Sequence, residues 1–114
     1  MTQLVHFAFY VPTTHAEAVK TAIFTAGAGR VGHYDCCSWQ TLGQGQFRPL
    51  DGANPFLGEV NRIEQVEEVK VETVCQIDVL PAVVQALLAA HPYEEVAYMA
   101  LPMMTVNSAI MGSF

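Results

Sequence analysis

Residues 3–11 alternate between apolar and mixed positions. Val5, Phe7 and Phe9 fall on one side, and His6, Ala8 and Tyr10 on the other. A period of two in a Val- and Phe-rich run predicts a strand with one face in the core. Pro12 ends it. Thr14 and Glu17 then stand at capping-box spacing. Ala16, Val19, Ile23 and Ala26 recur with helical period, while Glu17, Lys20 and Thr21 take the opposite side. Gly27 fits a left-handed C-cap. The pattern reads as strand, turn, amphipathic helix.

Tyr34 to Phe47 reads as a second strand, with Gly43 and Gly45 suggesting a bulge or a close backbone contact. A turn-rich loop, Arg48 to Gly58, is punctuated by Pro49, Asp51-Gly52 and Asn54-Pro55. Glu59 to Asp78 returns as extended chain. Val69, Val71, Thr73, Cys75 and Ile77 share one face; Lys70, Glu72, Val74 and Gln76 share the other. Asp78 and Pro81 open a second helix, whose apolar stripe is Val83, Val84, Leu87, Leu88 and His91. Pro92 stops it. A last extended run, Val96 to Val106, precedes a tail ending Ile110 to Phe114. The order βαββαβ predicts an α+β ferredoxin-like sandwich: two helices on one face of a four-stranded antiparallel sheet. The other sheet face has no cover within the chain, and its apolar strands predict packing on another subunit.

Composition narrows the partners. The 114 residues suit a single domain, 1–114, with no repeat or linker. Hydrophobic residues make up 52% and charged residues 14%, which excludes a disordered chain. Net charge is −6, and only Lys20, Arg30, Arg48, Arg62 and Lys70 are basic. A nucleic-acid binder needs a basic face, and an anionic membrane attracts one, so both classes are excluded. The longest apolar stretch, Val79 to Ala90, falls short of the roughly 18 residues a span needs. The N-terminus lacks the pattern of a secretory signal. Three cysteines, two of them adjacent, do not make a disulfide framework. The expectation is a cytoplasmic protein with reduced thiols.

Candidate chemistry is scattered. Gly27-x-Gly29-x-x-Gly32 matches a dinucleotide fingerprint by letter, but it follows a helix and leads to a strand, so it reads as a turn. His6, His15, His33, Cys36, Cys37, His91, Glu94 and Glu95 could ligate metal, yet no pair has a strong spacing. On a strand Cys36 and Cys37 point to opposite faces. The densest polar cluster is His91-Pro-Tyr-Glu-Glu, at a helix C-terminus that favours a protonated imidazole. A nucleophilic set could be drawn from Cys36, His91 and Glu94, but its acidic surroundings do not activate a thiol. Met99, Met103, Met104 and Met111 read as core or interface filler rather than a soft-metal site.

Five runs together carry a family resemblance: Gly27-Ala-Gly-Arg-Val-Gly-His-Tyr-Asp-Cys-Cys-Ser-Trp39, Gly43-Gln-Gly-Gln-Phe-Arg-Pro49, Gly52-Ala-Asn-Pro-Phe-Leu-Gly58, Val66-Glu-Glu-Val-Lys-Val-Glu-Thr73 and Ala89-Ala-His-Pro-Tyr-Glu-Glu-Val-Ala-Tyr98. In this order they resemble the inserted domain of the NGG-interacting-factor-like family, also called GTP cyclohydrolase 1 type 2 homologues. That domain is similar to PII signalling proteins and to CutA divalent-ion tolerance proteins. The resemblance implies a ferredoxin-like, usually trimeric subunit with an extended β2–β3 hairpin that packs on neighbours. It also implies that the family's dinuclear metal site lies in flanking domains outside the insert, so this chain reads as a free-standing version of the accessory module. Val96 and Met99 depart from a common Pro and Asp, and Trp39 stands where Phe is common. His33, Asp35, Cys36, His91, Tyr93 and Glu94 match the family pattern and are the expected cleft residues.

The resulting expectation is a non-enzymatic, homo-oligomeric module, trimeric by resemblance, that binds a small ligand, a metal ion or a partner protein at an inter-subunit cleft. Two further readings follow from the resemblance. One is a divalent-metal binder in metal homeostasis, using His33, Cys36, His91 and Glu94. The other is an accessory subunit of a metal-dependent hydrolase or cyclohydrolase.

Overall fold

The computed structural model describes residues 3–104. Strand β1 (Leu4–Pro12) leads through a 3-10 turn (Thr13–His15) into helix α1 (Ala16–Thr25). Strands β2 (Ser38–Phe47) and β3 (Glu64–Gln76) follow, then a second 3-10 turn (Ile77–Val79), helix α2 (Leu80–Ala90) and strand β4 (Tyr98–Pro102). The sheet order is β2-β3-β1-β4, and every neighbouring pair is antiparallel. This is the ferredoxin-like α+β sandwich that the element order predicts.

The alternation in β1 sets the layers. Val5, Phe7, Phe9 and Val11 are buried beneath the helices together with Val69, Val71, Thr73 and Cys75 of β3. Ala16, Val19 and Ile23 of α1, and Val83 and Leu87 of α2, close the core from above. Leu88 of the expected α2 stripe is left exposed. Ile77 leaves the strand for the 3-10 turn and is exposed too, so the β3 core face ends at Cys75.

Several local expectations are corrected. Thr14 makes no cap bond to α1; its hydroxyl meets the His15 ring at 2.8 Å, because a 3-10 turn delays the helix start to Ala16. Strand β2 starts at Ser38, not Tyr34, because Cys36 adopts a left-handed conformation (φ 56°) that breaks extended geometry. Cys36 and Cys37 therefore do not alternate on a strand. Gly43 and Gly45 cause no bulge, since β2 pairs with β3 without interruption from Ser38↔Thr73 to Phe47↔Glu64. Strand β3 begins at Glu64 rather than Glu59. It lies inside the sheet, between β2 and β1. The last run pairs only over Tyr98–Pro102, with the Tyr10 amide also donating to the Ala97 carbonyl at 3.1 Å. Residues 105 and 106 of that expected strand, the tail and Met111 lie outside the described residues.

The Gly-rich segment is a turn, as its context suggests. The Gly27 amide donates to the Phe24 carbonyl and the Ala28 amide to the Ile23 carbonyl, which is a Schellman C-cap with Gly27 at φ 119°. The Gly29 amide then donates to the Val74 carbonyl at 2.8 Å, docking the loop against β3.

The β2–β3 hairpin outruns its support. Strand β1 pairs with β3 only from Glu68 onward, so residues 64–67 pair with β2 alone. The arm makes the molecule long, 55 × 23 × 22 Å. Its radius of gyration, 16.4 Å, exceeds the roughly 13 Å expected of a compact chain of this length. Residues 48–63 do not extend the arm further. They fold back, with the Asn61 amide donating to the Pro49 carbonyl at 2.6 Å and a turn closed from Ala53 to Leu50 at 3.0 Å. Gly52, the third residue of that turn, takes positive φ (94°), a conformation that favours glycine.

Candidate functional site

The base of the arm, the folded-back loop and the α2–β4 connection enclose a cleft of about 600 Å³. Strand register brings Tyr10, Gly45, Phe47 and Glu68 to the helix-free sheet face, and all four line it. The loop adds Arg48, Pro49, Leu50, Pro55, Phe56 and Leu57, and the connection adds Tyr93, Glu94 and Glu95. The size falls within the range of small-molecule sites, and the lining is mostly apolar, as such sites are.

Tyr93 is the centre of the wall. Its ring lies 6.1 Å from Phe47 and 6.4 Å from Phe56, with His91 at 4.9 Å. Its hydroxyl donates to Glu68 at 2.8 Å. Burial pushes the Tyr93 phenol well above its ordinary range, and the Glu68 hydrogen bond and charge push it further in the same direction. Gly45 makes this contact possible, because a Cβ there would run into the Glu68 carboxylate. The close contact anticipated at Gly45 thus exists, with a side chain rather than a backbone.

The loop is held over the cleft at two points. Glu94 accepts the Asn54 amide at 2.8 Å. The His15 ring meets Phe56 edge-on, centroids 5.3 Å apart.

His91 closes α2 as its C-cap residue and is buried. Nε2 lies 2.7 Å from the Tyr10 carbonyl and must donate to it. Nδ1 accepts the Tyr93 amide at 3.1 Å. Both nitrogens are thereby engaged in the neutral Nε2–H tautomer. Burial lowers the His91 pKa, and the nearby His15 acts in the same direction; the Tyr10 carbonyl and Glu68 oppose the shift without reversing it. The protonated helix-end imidazole expected from the dipole is corrected to a neutral one, because desolvation outweighs a terminal partial charge.

The expected cleft residues divide into two groups. His91, Tyr93 and Glu94 gather at the arm end of the sheet. His33, Asp35 and Cys36 sit exposed in the α1–β2 loop, with His33 in the turn bracketed by the Val31↔Tyr34 bridge. That loop is tied to β3 where Thr73 donates to the Cys37 carbonyl at 2.6 Å, five residues along the strand from Glu68. At roughly 3.3 Å per residue the two groups stand about 16 Å apart along β3. Within one chain, His33 and Cys36 therefore do not meet His91 and Glu94. Among the described residues no three His, Cys, Asp or Glu side chains converge as a metal site.

Phe47, Arg48, Phe56 and Glu68 were not among the residues singled out. The available signal was large apolar residues (Phe47, Leu50, Phe56, Leu57) within a Pro- and Gly-rich loop. Turn residues give such a loop a shape, and its apolar side chains need something to cover.

These features define a CutA-like ferredoxin fold with a ligand-sized cleft at the root of its hairpin. No family model matches the chain. It is 50% identical over 91 residues, 80% of its length, to a GTP cyclohydrolase 1 type 2 homolog of Bacillus subtilis. It spans only 24% of that relative. A solved Bacillus cereus protein related to NIF3 superposes over 91% of this chain and 26% of its own, with 38% identity and a TM-score of 0.78. CutA from Synechococcus elongatus matches over 91% of this chain and 80% of its own, at 22% identity and a TM-score of 0.63. The CutA likeness shows the fold alone. The chain is a homologue of one domain-sized segment, about a quarter, of the GTP cyclohydrolase 1 type 2 homologues. No helix among the described residues is long and apolar enough to cross a membrane.

Proposed function

We propose that this chain is a binding module that assembles with copies of itself and holds a small ligand in the cleft beneath the arm loop. The observation that carries the reading is the cleft itself: about 600 Å³, walled by Phe47, Phe56 and Tyr93. Two of its carboxylates are engaged in building it. Glu68 holds the Tyr93 hydroxyl and Glu94 holds the loop amide of Asn54, so neither is poised beside a nucleophile. This supports recognition rather than turnover.

Self-association is supported by the helix-free sheet face. Met99 and Leu101 of β4 stand opposite Ala8 and His6 of β1 and are exposed, and Trp39 on the β2 side is 70% exposed. Between them lies a polar strip, where His6 meets Glu72 at 3.2 Å and Lys70 meets the same oxygen at 3.8 Å. Large apolar side chains exposed on a sheet face that no helix covers suit a surface that a second copy covers.

Sedimentation equilibrium at micromolar concentration is the test of assembly. A multiple of the chain mass is expected, with Leu101→Glu shifting the protein toward the monomer and the emission of Trp39, the single tryptophan, toward the red. A monomeric parent at that concentration overturns the assembly part.

A further inference from the structure

Resting on the cleft reading above, we propose that the occupant of the cleft is an organic cation with a flat aromatic or apolar body. The walls supply the body's partners. The ring centres of Phe47 and Phe56 lie 6.1 Å and 6.4 Å from that of Tyr93, and Tyr10 adds a fourth ring to the lining. Aromatic faces are electronegative and attract cations set over them. The Tyr10 ring already carries such a contact, with the Lys70 ammonium 5.9 Å from its centroid, so Phe47, Phe56 and Tyr93 are the rings left to a ligand.

Charge points the same way. Three carboxylates line the cleft, Glu68, Glu94 and Glu95, against one guanidinium, Arg48. Arg48 makes no ion pair with any of them among the described residues, and it offsets at most one of the three, so the lining keeps an excess of carboxylates. Glu68 and Glu94 each use one oxygen in a structural hydrogen bond and make none with the other oxygen among the described residues, and Glu95 makes no hydrogen bond or ion pair there. The chain as a whole carries −6. A low-dielectric wall beside carboxylates of one sign concentrates the opposite sign of ligand. An anion of the same shape meets the uncompensated carboxylates instead, and a neutral ring gains the walls but not the field.

A pair of fluorescent probes tests this on the intact chain. Berberine is a flat aromatic cation, and 1-anilinonaphthalene-8-sulfonate is an aromatic anion of similar size. Berberine is expected to bind more tightly, and the preference to shrink as salt is raised. Glu95→Gln, an exposed change with no structural bond to lose, is expected to weaken berberine about threefold, the size of a solvent-exposed charge contact. Arg48→Gln is expected to tighten it. Phe56→Ala is expected to weaken both probes. Equal or tighter binding of the anion overturns the proposal, as does a Glu95→Gln protein that binds berberine like the parent. If Phe56→Ala weakens both probes while the charge substitutions change neither, the cleft reading stands and the cation proposal falls. If Phe56→Ala alters neither probe, the cleft reading itself falls.

Discussion

His91 donates from Nε2 to the carbonyl of Tyr10 at 2.7 Å, joining the end of α2 to the middle of the sheet across the chain. The same ring accepts the Tyr93 amide through Nδ1, so one neutral side chain fixes the entry of the connection that walls the cleft. Truncation to alanine leaves the Tyr10 carbonyl and the Tyr93 amide without this partner and opens a void. His91→Ala is expected to cost about 2–4 kcal/mol in chemical denaturation, from an orphaned polar pair plus lost packing. A loss below about 0.5 kcal/mol would show the contact to be dispensable.

The pH dependence follows from the same residue. Its folded pKa lies below the ordinary value of 6.5, so the unfolded chain binds the proton more readily. The stability His91 contributes is therefore complete above about 6.5 and is lost as pH falls from there through the folded pKa. Denaturation midpoints from pH 8 down to 5 are expected to fall in the parent. The part of that fall due to this group is expected to vanish in His91→Gln, which keeps a donor without the titration. Identical pH profiles for the two proteins would refute the assignment.

Tyr93 carries the opposite sign. Its phenol is raised by burial and by Glu68, so the folded chain keeps a proton that the unfolded chain releases near pH 10. The stability from this group is present below that pH and declines as pH rises toward the folded value. Ultraviolet titration should show one of the four tyrosines ionising only well after the ordinary range. Tyr93→Phe should remove that late step and cost about 1 kcal/mol, the net worth of a half-exposed hydrogen bond.

Two glycines of the α1–β2 turn separate close packing from backbone conformation. Both have positive φ, 80° at Gly29 and 57° at Gly32. A Cβ at Gly29 would stand 2.9 Å from the Phe24 ring and 3.1 Å from the Cys37 amide nitrogen, whereas Gly32 has open space. Gly32→Ala is expected to cost about 1 kcal/mol for the left-handed backbone alone, and Gly29→Ala distinctly more. Equal melting temperatures for the two variants would contradict this packing.

The arm loop should report its own tether. Glu94→Ala removes the acceptor of the Asn54 amide, an exposed bond of 2.8 Å. Global stability is expected to change by less than about 1 kcal/mol, while hydrogen exchange at Asn54 and its loop neighbours quickens. Unchanged exchange there would mean that the His15–Phe56 contact holds the loop unaided.

Much of the fold is legible in periodicity alone. The alternation of Val5, Phe7, Phe9 and Val11, and of Val69, Val71, Thr73 and Cys75, determines which strand faces meet the helices, because side chains on a strand alternate by geometry. The spacing of Val19 and Ile23, and of Val83 and Leu87, does the same for α1 and α2. Gly27 and Pro81 mark helix ends through backbone conformations that depend on one residue. The five-run likeness points to the right relatives because those runs include the turn residues that shape the chain.

Tertiary structure alone decided the rest. Whether Thr14 caps α1 depends on a 3-10 turn that spacing does not encode. That His91 is neutral depends on burial under Tyr10, more than eighty residues away. That His33 and Cys36 stand apart from Glu94 depends on which ends of β3 their loops reach. Above all, the cleft depends on residues 48–63 folding back so that Phe56 meets His15 and Asn54 meets Glu94. Local propensity acts between near neighbours and is readable in order. Burial, desolvation and the convergence of distant loops exist only once the chain has closed on itself.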